Sequence, residues 1–144
     1  VTRVTKKVVV ADGTKPPLPS ESVGKILVDA PCSGLGALRR RPDARYRKSP
    51  QDIQTLVAVQ RALLAASIQL LEAGGILGCV TCSPIFAETR ANTDWVLANF
   101  SYMELIDARH YFPVEMNLDE SHDVQLWPSM HGTDAMYLAL FRKM

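Results

Sequence analysis

The sequence predicts an α/β fold in which parallel strands are joined by crossover helices. Three observations carry the prediction: short aliphatic runs closed by a carboxylate or a turn, a long amphipathic helix between two such runs, and the order strand, loop, strand, helix, strand, helix, strand. Lys7-Val8-Val9-Val10-Ala11 is β-branched and followed by Asp12-Gly13, which reads as a buried strand ending in a turn. Thr14 to Gly24, with its prolines and serines, forms a loop. Lys25 to Asp29 is a second strand, closed by its carboxylate and broken by Pro31, Gly34 and Gly36. Ser49-Pro50-Gln51-Asp52 opens the longest helix, with a serine N-cap, proline at the first helical position and an acid in the first turn. Ile53, Leu56, Val57, Leu63, Leu64, Ile68 and Leu71 follow the three-and-four spacing of one face, and Gly74-Gly75 is expected to end the helix. Ile76 to Thr81 is the next strand, and Glu88 to Phe100 a second helix with Trp95, Val96 and Phe100 inward. Gln125-Leu126-Trp127 and Met136 to Phe141 are expected to pair antiparallel at a sheet edge.

A chain of 144 residues supports one modest core, which excludes two full domains. At 47% hydrophobic and 22% charged residues it is globular, not disordered or fibrous. No apolar run approaches the roughly 18 residues of a membrane span. Val1 to Lys7 lacks the apolar stretch of a signal peptide, so a cytoplasmic protein with no membrane partner is expected. The 3 cysteines cannot all pair within the chain and read as free thiols of a reducing compartment. The chain opens at Val1 without an initiator methionine and runs at once into a strand-like segment, as if starting part-way through a domain.

Ligands of open α/β sheets bind beyond the carboxyl ends of the strands. Those ends carry Asp12, then Asp29-Ala30-Pro31-Cys32, then Thr81-Cys82-Ser83. If the strands bearing Asp29 and Cys82 are neighbours joined by the long helix, two cysteines and a carboxylate converge on one edge. A lone free cysteine is more often a small buried hydrophobe than a reagent, but two at adjacent strand ends shift that balance. Cys79 and Cys82 also form a CxxC pair. An offset of three on a strand sends the two side chains to opposite faces, and no second pair or suitably spaced histidine completes a metal site, so Cys79 is read as core. His110, His122 and His131 lie in or beside the C-terminal loops, where surface or capping roles are the default.

Asp29-Ala30-Pro31-Cys32-Ser33-Gly34, Arg40-Arg41-Pro42-Asp43 and Thr81-Cys82-Ser83 together resemble the Fmu/Sun/NOP2 family of S-adenosylmethionine-dependent RNA cytosine-5 methyltransferases, the bacterial 16S ribosomal RNA enzymes in particular. Asp12-Gly13 is similar to that family's cofactor motif, and His131 to Met136 to its closing motif, with Ala135 in place of the usual glycine. The resemblance implies a Rossmann-like methyltransferase fold of which residues 1–144 are the C-terminal part of a single domain. The glycine-rich cofactor loop and the N-terminal RNA-binding domain are absent from this sequence. It implies S-adenosylmethionine as cofactor and 16S rRNA as partner. It further implies Cys82 as nucleophile, Cys32 as the residue assisting product release, Asp29 beside cofactor and target base, and Asp12 at the adenine end of the cofactor. After Cys82 the family has a Glu-Glu-Asn cluster, of which only Glu88 has a counterpart here. DNA cytosine methyltransferases use the Pro-Cys cysteine as nucleophile instead, and a catalytically silent RNA-binding fragment is a further alternative.

The chemistry explains the residue types. Cytosine C5 is a poor nucleophile until a thiolate adds at C6 and makes C5 enamine-like. Cysteine supplies a thiolate near neutral pH and is also a good leaving group. A carboxylic acid at N3 stabilises the charge that addition places on the ring, the role expected of Asp29. Arg39, Arg40, Arg41, Arg45, Arg47 and Lys48 stand against Asp43 alone, a local charge of +5 on a chain of +1. That stretch is either a solvated loop or, with Tyr46 available to stack, an RNA phosphate track. With the preceding strands missing, Lys25 to Asp29 is expected to keep an uncovered edge through which copies self-associate, and Lys7 to Ala11 to shift onto that edge, pair across a dimer or remain poorly ordered.

Overall fold

The computed structural model describes residues 8–144. A mixed sheet forms from β1 (Val23–Asp29), β2 (Leu71–Thr81), β3 (Met103–Ile106), β4 (Val124–Gln125) and β5 (Tyr137–Lys143), in the order β1-β2-β5-β3, with β4 also on β5. β1 and β2 are parallel and joined by α1 (Pro50–Leu70), the crossover the sequence predicts. β5 runs antiparallel to both β2 and β3, so β3, reached through α2 (Arg90–Asn99), points the same way as β2.

Local chemistry accounts for the start of α1. Ser49 Oγ accepts from the Asp52 amide at 3.3 Å while the Ser49 amide donates to Asp52 Oδ2 at 2.8 Å, a complete capping box with Pro50 at N1. α1 has the length and apolar content of a membrane-crossing helix, more than the run lengths in the sequence alone indicate. Here it is the crossover of a β-α-β unit, with Leu64 and Ile68 buried on Leu71, Leu77 and Cys79 of β2. Val96, Met103, Tyr137, Ala139 and Phe141 complete the core. Each large apolar side chain enclosed there contributes about 1.5–3 kcal/mol.

Four expectations need correction. Residues 8–11 form no strand, and Val8, Val9 and Val10 are 87%, 68% and 100% exposed, because no neighbouring strand takes up their backbone groups; Lys7 lies outside the described residues. The Asp12-Gly13 turn does form, closed by the Lys15 amide on the Asp12 carbonyl at 2.9 Å. Gly74-Gly75 does not end α1, which stops at Leu70 and passes directly into β2. The glycines lie instead in a bulge, where pairing jumps from Val23↔Leu71 to Lys25↔Ile76. Glu88 belongs not to α2 but to a tight turn ahead of it (Phe86–Glu88) that directs it inward, and Thr89 is the N-cap of α2.

The fourth correction concerns the closing pair. β4 and β5 are antiparallel as expected, but β5 is interior, flanked by β2 on one side and by β3 and β4 on the other. Its apolar run reflects cover on both faces, with Tyr137, Ala139 and Phe141 buried on one and Leu138 and Leu140 half-buried on the other. β1, by contrast, ends the sheet among the described residues and is covered on one face only: Ile26 and Val28 pack on the core, and Leu27 is exposed.

Candidate active site

β1 and β2 lie in register with Asp29 opposite Val80, so the segments after both strands leave the same end of the sheet. This brings Cys32 and Cys82 together: their sulfurs are 3.2 Å apart. Asp29, Pro31, Cys32 and Cys82 line an open cleft of about 860 Å³, with Arg40, Arg41, Arg47 and Lys48 also in its wall. The strand-end residues expected to converge do so. Cys79 is buried in the core within β2, whereas Cys82 follows the last residue of that strand and lines the cleft, so the two do not act as a pair.

Two glycines permit the approach of the Cys32 loop. Gly34 takes φ +71°, a left-handed conformation that caps the short turn Leu35–Ala37. At Gly36 a Cβ would stand 2.0 Å from the Ala135 carbonyl oxygen and 2.8 Å from that of Cys82. The Gly36 amide donates to the Cys82 carbonyl at 3.0 Å, and the Ala135 amide donates to the Gly36 carbonyl at 2.9 Å. The closing motif thus reaches the cysteine loops through backbone. Ala135 is not among the residues of positive φ, so the methyl it carries in place of a glycine costs no strain.

Beneath the cysteines lies a polar cluster. Glu88 is 1% exposed. Its Oε1 accepts from the Ser33 amide at 2.8 Å and from Gln60 Nε2 at 3.1 Å, and its Oε2 from the Ser33 and Ser83 hydroxyls, each at 2.6 Å. Gln60 also donates to the Pro31 carbonyl at 2.9 Å and accepts from Asn92 Nδ2 at 2.7 Å. The sequence contains one signal for this cluster: Gln60 occupies the apolar stripe of α1, four residues before Leu64, and is fully buried.

Burial, reinforced by the hydrogen bond to Cys82, pushes the Cys32 thiol up to about 12, so it keeps its proton at neutral pH. Burial pushes Cys79 up to about 12 as well.

Other predicted residues fall outside the cleft. Asp12 lies in its own turn, with its carboxylate accepting from the Thr14 amide at 2.9 Å and hydroxyl at 2.7 Å, and does not line the cleft. Arg39 and Arg45 do not line it either; Arg45 donates to the Pro42 carbonyl and stacks over Tyr46. Arg40 forms an ion pair with the buried carboxylate of Asp134, and Arg47 one with Asp43 at 2.9 Å. His131 has the local role expected of it: its Nδ1 accepts from the Trp127 amide at 2.9 Å.

The two-cysteine geometry agrees with the sequence comparison, in which residues 1–142 match the family described as 16S rRNA methyltransferase RsmB/F. The chain belongs to this family. It is similar to "Putative methyltransferase Rv1407" of Mycobacterium tuberculosis, 48% identical over 121 residues that cover 83% of this chain and 26% of the relative. It is also similar to "Probable ribosomal RNA small subunit methyltransferase B" of Synechocystis, 36% identical and covering 91% of this chain and 29% of the relative. Among solved structures, NSun6 from Pyrococcus horikoshii with SFG superposes with a TM-score of 0.76 at 26% identity, covering 96% of this chain and 34% of that one. The RsmB/F family chain thus spans about a quarter to a third of the length of these relatives, and its α/β sheet is part of a Rossmann-like methyltransferase fold.

Proposed function

We propose that this chain is the C-terminal catalytic portion of a methyltransferase that places a methyl group on cytosine C5 of small-subunit ribosomal RNA, in the cytoplasm, through a covalent Cys82 adduct. The observation that carries the reading is the Cys32–Cys82 pair, 3.2 Å apart in a cleft that also holds Asp29 and a basic wall. Small-subunit rRNA methyltransferases B and F among the relatives support the substrate class, and SFG, an S-adenosylmethionine analogue, in the structural neighbour supports the cofactor. S-adenosylmethionine would supply an electrophilic methyl on a sulfonium. Asp29 suits its cationic end because it is an exposed carboxylate in the cleft wall, whereas Asp12 does not reach that wall.

In this reading Cys82 attacks C6 of a splayed-out cytosine, and Asp29 stabilises the ring through N3. After methylation the C5 proton passes to solvent water in the open cleft, its bonding pair re-forms the C5–C6 double bond, and the Cys82–C6 bond breaks with Cys82 leaving as thiolate. Cys32 holds its proton at neutral pH and sits at hydrogen-bond distance from Cys82, so it is placed to assist the departing sulfur. Arg40, Arg41, Arg47 and Lys48 neutralise phosphates along the cleft, with Arg39 and Arg45 extending the track outside it. The chain alone brings only Asp29 of the two predicted cofactor carboxylates to the cleft, and we expect it to bind S-adenosylmethionine weakly. The free edge of β1 favours association of copies. The deciding experiment is transfer of labelled methyl to small-subunit rRNA by the full-length protein, with the product nucleoside identified. Label in any nucleoside other than 5-methylcytidine would refute the reading.

A further inference from the structure

We infer that Glu88 is a positioning residue that sets the Cys32–Cys82 distance by clamping the two loops that carry these cysteines. The inference deepens the reading of the two cysteines as the reacting pair and rests on it. Ser33 follows Cys32 and Ser83 follows Cys82, and both hydroxyls donate to the same Glu88 oxygen at 2.6 Å. Each hydroxyl is itself oriented by its loop, because Ser33 Oγ accepts from the Leu35 amide at 3.4 Å and Ser83 Oγ from the Ile85 amide at 3.1 Å. A turn amide thus fixes each serine, each serine grips the carboxylate, and the carboxylate joins the loops one residue away from each sulfur.

The chemistry of the clamp selects glutamate. All four groups facing it donate, and an ionised carboxylate is acceptor-only, with room for four such bonds. An amide in its place would turn an N–H pair toward two hydroxyls that already receive loop amides. Glu88 does not line the cleft and contacts neither sulfur, so it acts through the loops and not on the substrate. Such an arrangement is what a two-thiol mechanism demands: one sulfur must attack while the other stays within reach to assist departure. A misplacement of about 1 Å is enough to cost roughly a hundredfold in such geometry.

The two halves of the clamp are unequal. Ser33 holds Glu88 through both its amide and its hydroxyl, whereas Ser83 holds it through the hydroxyl alone. Removing the Ser83 hydroxyl therefore frees the Cys82 loop from the carboxylate, while removing that of Ser33 leaves one bond in place.

Disulfide formation measures the sulfur separation directly. The full-length protein, its Glu88→Gln, Ser83→Ala and Ser33→Ala variants are treated with diamide, quenched with acid and mapped by mass spectrometry for the Cys32–Cys82 link; unmodified Cys79 reports that the core is intact. Rapid linkage is expected in the parent. Its rate should fall about tenfold or more in Glu88→Gln and Ser83→Ala, and less in Ser33→Ala. In parallel, kcat for methyl transfer should fall while KM for RNA stays constant. A purely structural glutamate would lower the melting temperature and leave the linkage rate of the folded protein unchanged, and that result overturns the inference. So does a parent protein whose two cysteines do not link. Should Glu88→Gln fail to fold, Ser83→Ala decides by the same criterion. If linkage responds as expected but the parent methylates no RNA, the clamp stands and the proposed function falls.

Discussion

At the floor of the cleft Ser33, Ser83 and Glu88 are buried and hydrogen-bonded to one another. On its rim Arg41 and Lys48 stand in solvent without an ion pair among the described residues. The floor is a low-dielectric network in which each donor has a fixed acceptor, so its geometry is stiff and its polar groups are costly to orphan. The rim pays little for any single side chain, since exposed charges are screened and already solvated. In the proposed reading, chemistry that depends on a sulfur separation thus falls where the fold is rigid, and attraction of a polyanion where side chains can adapt to it.

The largest expected effect breaks the floor at its reagents. In the full-length protein Cys82→Ala abolishes methyl transfer and covalent trapping by RNA containing 5-fluorocytosine. Cys32→Ala leaves attack possible and slows release, so a protein–RNA adduct accumulates. Electrophoresis under denaturing conditions checks both. An adduct that builds up in the Cys82 variant and not in the Cys32 variant exchanges the two roles and returns the DNA-type assignment.

Stability separates floor from rim next. Glu88→Ala leaves the Ser33 amide, two hydroxyls and the Gln60 amide without their acceptor, which should cost about 3 kcal/mol in a denaturant titration. Arg41→Ala, on an exposed side chain of the rim, should stay within about 0.5 kcal/mol. Equal losses in the two variants would erase the distinction.

This contrast also explains what could be read from the sequence. Asp29, Cys32 and Cys82 were legible because each ends or follows an apolar run, and strand ends are where an open sheet binds its ligands. The capping box of α1 was legible because all its parts lie within four residues. Glu88 lies 5 positions from Ser83 but 28 from Gln60 and 55 from Ser33, and the parallel pairing of β1 and β2 brings the distant members together. Val8 to Val10 have every local mark of a strand, but strand formation is decided by neighbours that a β-branched run cannot supply for itself. The interior place of β5 was hidden for a related reason: a hairpin-like pair of runs does not say what lies on its other side.

A pH titration separates the half-buried Cys32 and the buried Cys79 from the rim. Cys32 and Cys79 are both raised to about 12 in the folded protein, above the ordinary thiol value of 9.0. Below pH 9 both states keep these protons and the thiols impose no pH dependence. Between about pH 9 and 12 the unfolded chain ionises first and binds fewer protons, so stability falls as pH rises. Cys79→Ala should flatten that decline relative to the parent in urea titrations at pH 8 and 10.5, although it lowers stability at both. A parallel decline in parent and variant would show that Cys79 ionises as freely folded as unfolded.

The smallest effect lies on the rim itself. If Arg41 and Lys48 each neutralise one phosphate of a single strand, replacing either by glutamine should lower the slope of log affinity against log salt by roughly 0.7 and leave the far-ultraviolet spectrum unchanged. Arg40 differs from them because Asp134 already holds it, so RNA must compete with a buried carboxylate and the slope should change less. Arg39 and Arg45, outside the cleft wall, test how far the track extends. An unchanged slope in the Arg41 and Lys48 variants would return the loop to an ordinary solvated surface.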